Sequence, residues 1–165
     1  MNTIDFVKQA FDLKEQKYYK PAIEMLYKAL ETEQDNEEIL YQIGELYFLM
    51  NNYSRALQYL EKILLNNENN VPSLKVVFQI KMREENYAEA IDIALKLFEN
   101  QKNSENLKNI LNVLIKQKDF DKVKEYFNNE FFDNEIKLYC ANSLYNYNFK
   151  DLTNKLLDSY SEKDN

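Results

Sequence analysis

Leu40-Tyr41-Gln42-Ile43-Gly44-Glu45-Leu46-Tyr47 is followed, after the polar pair Asn51-Asn52, by Tyr53 and then by Ala56, Leu60 and Ile63. This stretch decides the fold. Leu40, Ile43 and Tyr47 recur at three- and four-residue spacing, which places them on one helical face. Ala56, Leu60 and Ile63 repeat that spacing after the break. Residues 37–70 therefore read as two helices joined by a short turn. Gly44, the single glycine of the chain, lies inside the first of them, where it costs about 1 kcal/mol relative to Ala. Close approach of a second helix is the expected compensation.

The same turn returns along the chain. Lys17-Tyr18-Tyr19, Asn51-Asn52-Tyr53, Glu85-Asn86-Tyr87, Lys118-Asp119-Phe120 and Tyr147-Asn148-Phe149 put aromatics at 19, 53, 87, 120 and 149, at intervals of 34, 34, 33 and 29. Small and apolar residues follow each turn at helical spacing: Ala22, Leu26 and Ala29; Ala90, Ala94 and Leu97; Val123 and Phe127; Leu152 and Leu156. A fixed period of this size marks a repeat architecture.

A 34-residue unit with L-x2-I-G-x2-Y, N-N-Y and A-x3-L-x2-I resembles the tetratricopeptide repeat. The resemblance implies an all-α chain: a right-handed superhelical α-α solenoid of about five helical hairpins, the last two degenerate. Its units fall at about 3–36, 37–70, 71–103, 104–132 and 133–161, in one repeat domain spanning 1–161 with a tail at 162–165. Val123 stands where the fourth unit should carry Ala, and Phe78 and Lys81 depart from the motif in the third. First helices are expected near 3–15, 37–49, 71–84, 104–116 and 134–146. Second helices are expected near 20–32, 54–66, 88–100, 121–129 and 150–160. Thr3 and Ser104 read as N-caps, and Pro72 suits a first helical turn. The 29-residue interval predicts a shortened second helix in the fourth unit, ending at Asn128-Asn129.

Composition excludes several chemistries. The 165 residues contain no His and no Trp, one Gly, two Pro and one Cys. Without His there is no Ser-His-Asp triad and no HExxH zinc helix. One glycine leaves no Gly-rich phosphate loop, and Cys140 alone makes neither a disulfide nor a CxxC site. No catalytic residue, metal or cofactor is expected. The 28 acidic residues outnumber 21 basic ones, the wrong sign for nucleic acid. No apolar run is long enough for a membrane span, and the N-terminus lacks a signal-peptide pattern, so a cytoplasmic protein is expected. Residues 1–69 hold 12 acids against 7 bases. Glu31, Glu33, Asp35, Glu37 and Glu38 read as a solvated corner between helices. Cys140 reads as a packing residue.

Resemblance to the family implies that the first helices line a peptide-binding groove. The first offers Val7 and Phe11, beside Lys14. The second offers Tyr41, Glu45 and Phe48. The third offers Lys75, Gln79, Met82 and Arg83. The fourth offers Lys108, Asn112 and Ile115, and the fifth Lys137. The apolar, aromatic N-terminal half suits a hydrophobic anchor. Lys75, Lys108 and Lys137 occupy matching places and suit an acidic segment. Members that hold acidic chaperone tails use a clamp of Lys, Asn and Arg. Here Val7, Phe11, Gln42, Pro72 and Val76 stand at those places, so that use is not expected. The leading expectation is a non-catalytic module binding a protein or peptide. The alternatives are a small chaperone guarding a hydrophobic substrate, and a scaffold that self-associates through Ile4, Phe6, Val7 and Phe11 as a homodimer.

Overall fold

The computed structural model describes residues 2–161; the expected tail at 162–165 lies outside them. Among the described residues ten helices follow one another: α1 Thr3–Glu15, α2 Tyr19–Thr32, α3 Glu37–Leu49, α4 Tyr53–Asn66, α5 Val71–Arg83, α6 Tyr87–Asn100, α7 Ser104–Lys116, α8 Phe120–Glu125, α9 Asn134–Asn146 and α10 Lys150–Ser161. They fall into two compact units, one ending at Arg83 and one beginning at Glu84. Within the first, α1 packs on α2, α2 on α3, α3 on α4, and both α3 and α4 on α5. Within the second, α6 packs on α7, α7 on α8 and α9, and α9 on α10.

Helix starts are set by short polar side chains. Asn2, Asn36, Asn70, Asn103 and Asp133 each accept a backbone N–H from the first turn of a first helix. Asn52, Asn86 and Asp119 do so for α4, α6 and α8. The caps of α1 and α7 are thus Asn2 and Asn103, one residue before the expected Thr3 and Ser104. An Asn or Asp carbonyl oxygen reaches the N–H of the third helical residue from the non-helical N-cap position. Thr3 and Ser104 are already inside their helices.

The first helix of each hairpin ends on one device. Lys17, Asn51, Glu85, Lys118 and Asn148 adopt left-handed backbone, with φ of 62, 57, 56, 60 and 63°. After α1, Lys17 N–H bonds to Lys14 C=O at 2.9 Å and Tyr18 N–H to Leu13 C=O at 2.8 Å. This is the Schellman pattern, which uses the last carbonyls of the helix. It recurs at Asn51-Asn52, Lys118-Asp119 and Asn148-Phe149. Each left-handed residue stands 15 places after an Asx cap, and both series advance by 34, 34, 33 and 30. The last interval corrects the aromatic ruler: Phe149 occupies the place of Tyr18 and Asn52, not of Tyr19 and Tyr53.

The second helix of the fourth unit is shorter than expected. Helix α8 stops at Glu125 rather than at Asn128-Asn129. Beyond it the chain closes tight turns, with N–H to C=O bonds from Phe127 to Lys124, Asn129 to Tyr126 and Phe132 to Asn129. Aromatic packing holds this connector: Phe127 lies 5.2 Å from Phe132, and Phe131 meets Phe98 edge-on at 5.9 Å.

Small residues permit close crossings. Ala22, Ala56 and Ala90 are fully buried, and Val123 takes the same role in α8. Gly44 faces α4 so closely that an added Cβ would lie 2.9 Å from Leu60 side-chain carbons. A hydroxyl cluster ties three helices together: Tyr27 OH lies 2.8 Å from Tyr47 OH and 3.0 Å from Tyr59 OH, and Arg55 donates to Tyr47 OH at 2.9 Å. Burial, then the bonds to Tyr47 and Tyr59, push the Tyr27 hydroxyl upward in pKa. Cys140 is fully buried in α9, and burial pushes its thiol up to about 12.

Candidate functional site

Helix α1 carries Ile4, Val7 and Phe11 at helical spacing. In the first unit this stripe stands beside α3 and leaves a hollow of about 470 Å³. Leu26 of α2 and Ile39 of α3 contribute to its lining, and both are buried. Ile4 is 76% exposed and Phe11 56%, although each is large and apolar. Both side chains stand on the face of α1 that lines the hollow. Thr3, Lys8, Glu33, Asn36, Glu38 and Gln42 complete the lining.

The hollow turns polar toward the end of α1. Lys14 donates to Gln42 Oε1 at 3.3 Å and forms an ion pair with Glu45. Tyr41 OH donates to Glu45 Oε1 at 3.4 Å. Burial, followed by the nearby Glu45 carboxylate, pushes the Tyr41 hydroxyl up to about 12. Lys14 and Glu45 balance each other, so this end presents hydrogen-bonding groups without net charge.

The remaining groove residues of the first unit are partly engaged. Arg83 lies over the Phe48 ring at 5.4 Å and the Tyr53 ring at 5.9 Å, and donates to Tyr53 OH at 3.1 Å. Val7, Tyr41, Glu45, Phe48, Lys75 and Met82 are half-buried, whereas Gln79 and Arg83 are exposed. In the second unit Lys108 pairs with Glu135 of α9 at 3.1 Å and lies 4.9 Å above the Tyr139 ring. Asn112 and Lys137 are half-buried. Ile115 is 2% exposed; its side chain belongs to the core.

Two features of the hollow were not read from the sequence. Leu26 comes from a second helix, outside the positions considered for a groove. The acidic corner also divides by role. Asp35 pairs with Lys62 at 2.9 Å, and Glu37 accepts from Asn67 and Asn70 at 3.4 and 3.3 Å. Glu33 and Glu38 instead line the hollow. The signal available was spacing: Glu38 and Gln42, four residues apart, share a helical face with Glu45.

Among the described residues no group of carboxylates and thiols could hold a metal ion. No helix among them is long and apolar enough to cross a membrane.

A family model described as anaphase-promoting complex, cyclosome, subunit 3 matches residues 15–97. No curated protein matches the chain. Solved structures share its fold. MamA from Desulfovibrio magneticus RS-1, residues 41 to its end, is similar with a TM-score of 0.78 at 11% identity, covering 97% of this chain and 93% of that one. Another MamA structure gives 0.79 at 14%, covering 98% and 91%. The pilF protein of Pseudomonas aeruginosa gives 0.70 at 17%, covering 97% of this chain and 75% of that chain.

Proposed function

The chain belongs to the anaphase-promoting complex, cyclosome, subunit 3 family of tetratricopeptide-type repeats, and from that premise we propose that it is a non-catalytic module that holds a protein segment against its first helices. The observation that carries this reading is the hollow beside α1. Exposed Ile4 and Phe11 over buried Leu26 and Ile39 offer an anchor side chain a place to leave water, at about 25 cal/mol per Å² of apolar surface covered. The absence of His and of Gly-rich loops supports a role without turnover. A buried, inert Cys140 suits a reducing, cytoplasmic setting.

Of Lys75, Lys108 and Lys137, which would meet an acidic segment in the partner, Lys108 is already paired with Glu135. Guarding a hydrophobic substrate would use the same hollow. The test compares proteins captured by wild type and by an Ile4→Ser, Phe11→Ser variant of equal helicity. Loss of a catch with the variant supports the reading, and identical catches overturn it.

A second reading rests on the same exposed end. Two copies covering Ile4 and Phe11 would form a homodimer. Sedimentation across a concentration series separates the readings: dimerisation abolished by the two Ser substitutions favours self-association, and a monomer at all concentrations excludes it.

A further inference from the structure

We propose that the segment held in the α1–α3 hollow is basic: a large apolar anchor flanked by Lys or Arg, which meet Glu33 and Glu38. This rests on the reading of the hollow as a protein-binding site and adds the chemistry of its occupant.

The argument is one of charge. Glu33 accepts from Asn36 Nδ2 at 2.6 Å, and Glu38 accepts from Gln42 Nε2 at 2.8 Å. Both partners are neutral amides. Among the described residues neither carboxylate meets a cation, unlike Asp35 with Lys62 and Lys14 with Glu45. Both amide bonds leave oxygen lone pairs able to accept further hydrogen bonds. Lys8 is the remaining cation of the lining, and it is exposed at the rim. The hollow therefore presents two uncompensated carboxylates against one lysine. The 12 acids and 7 bases of residues 1–69 extend a field of the same sign, which speeds encounter with a cation and disfavours an anion.

An acidic occupant would place like charges together beside a desolvating apolar floor. A neutral one would forgo two charge-assisted hydrogen bonds. A basic flank on an apolar anchor answers both parts of the lining.

The test is a selection. Random peptides of about a dozen residues, displayed on phage, are selected on the full chain, and the winners are measured by fluorescence anisotropy. Apolar anchors flanked by Lys or Arg are expected. Glu33→Gln with Glu38→Gln should weaken them about fivefold, an effect that fades in high salt. Ile4→Ser with Phe11→Ser should weaken them roughly tenfold or more. Winners that are acidic or neutral, lost with the Ser pair but indifferent to the Gln pair, overturn the charge assignment and leave the binding hollow standing. Winners indifferent to the Ser pair, or no enrichment at all, overturn both.

Discussion

Replacing Gly44 with Ala should destabilise the first unit, although Ala is the better helix former. A Cβ at Gly44 would lie 2.9 Å from both Cγ and Cδ2 of Leu60, against about 3.5–4.0 Å for carbons in contact. Leu60 is fully buried in α4, and Cγ is its branch point. Relief therefore requires the whole side chain to move by roughly 0.6–1 Å, within a core already packed like a crystal. The substitution gains about 1 kcal/mol of helix propensity. It loses about 1–3 kcal/mol to overpacking. The expected net is a loss of about 1 kcal/mol. Leu60→Ala alone should cost about 2–5 kcal/mol. In the Gly44→Ala background the same truncation also removes the clash, so the double variant should exceed the additive stability by about 1–2 kcal/mol. Urea titration followed by far-ultraviolet circular dichroism supplies all four stabilities. A Gly44→Ala protein more stable than wild type, or strict additivity, would refute the close crossing of α3 and α4.

Three further outcomes follow from other parts of the fold. Lys17→Gly and Lys118→Gly should each stabilise by about 0.5–1 kcal/mol, because both side chains are held at positive φ; unchanged denaturation midpoints would contradict that backbone geometry. Asn106 is 1% exposed and donates to the carbonyls of Leu97 at 3.1 Å and Gln101 at 2.8 Å, so Asn106→Ala should cost about 1–3 kcal/mol by the same titration. Burial raises the Cys140 thiol from its ordinary 9.0 to about 12. As pH rises the unfolded chain releases this proton first, the folded state binds more protons, and stability falls between about pH 9 and 12. Cys140→Ala should flatten that alkaline decline, and native Cys140 should react with a thiol reagent only as fast as its unit opens.

The helical pattern was legible because its cause is local. Spacing of three and four, turns rich in Asn and Lys, and Ala at crossings are all written into short windows. Helices α1, α3, α7 and α9 have the bounds their spacing predicts. The aromatic ruler slipped at Phe149 because an aromatic fits either place in the turn. The Asx caps carry a stricter register: the capping oxygen must reach the N–H of the second or third helical residue, so a cap cannot slide by one residue. Helix α8 ends early where Phe127 packs on Phe132 within the connector and Phe131 reaches Phe98, and neither contact leaves a periodic trace. The site was legible in part. Val7 and Phe11 belong to the hollow, but Leu26, Glu33 and Glu38 reach it from other elements. Pairing of Lys108 with Glu135 depends on how α7 meets α9, which spacing within either helix does not state.

Capture at a single residue tests the central claim, that the hollow beside α1 is where a protein partner sits. A photo-crosslinking phenylalanine analogue at position 11 would be compared, in the cell that makes the protein, with the same analogue at Leu65, which is 86% exposed on α4. The account predicts a discrete protein adduct from position 11, absent from position 65 and abolished by Ile4→Ser with Val7→Ser. The same adducts from both positions, or none from position 11, would contradict it.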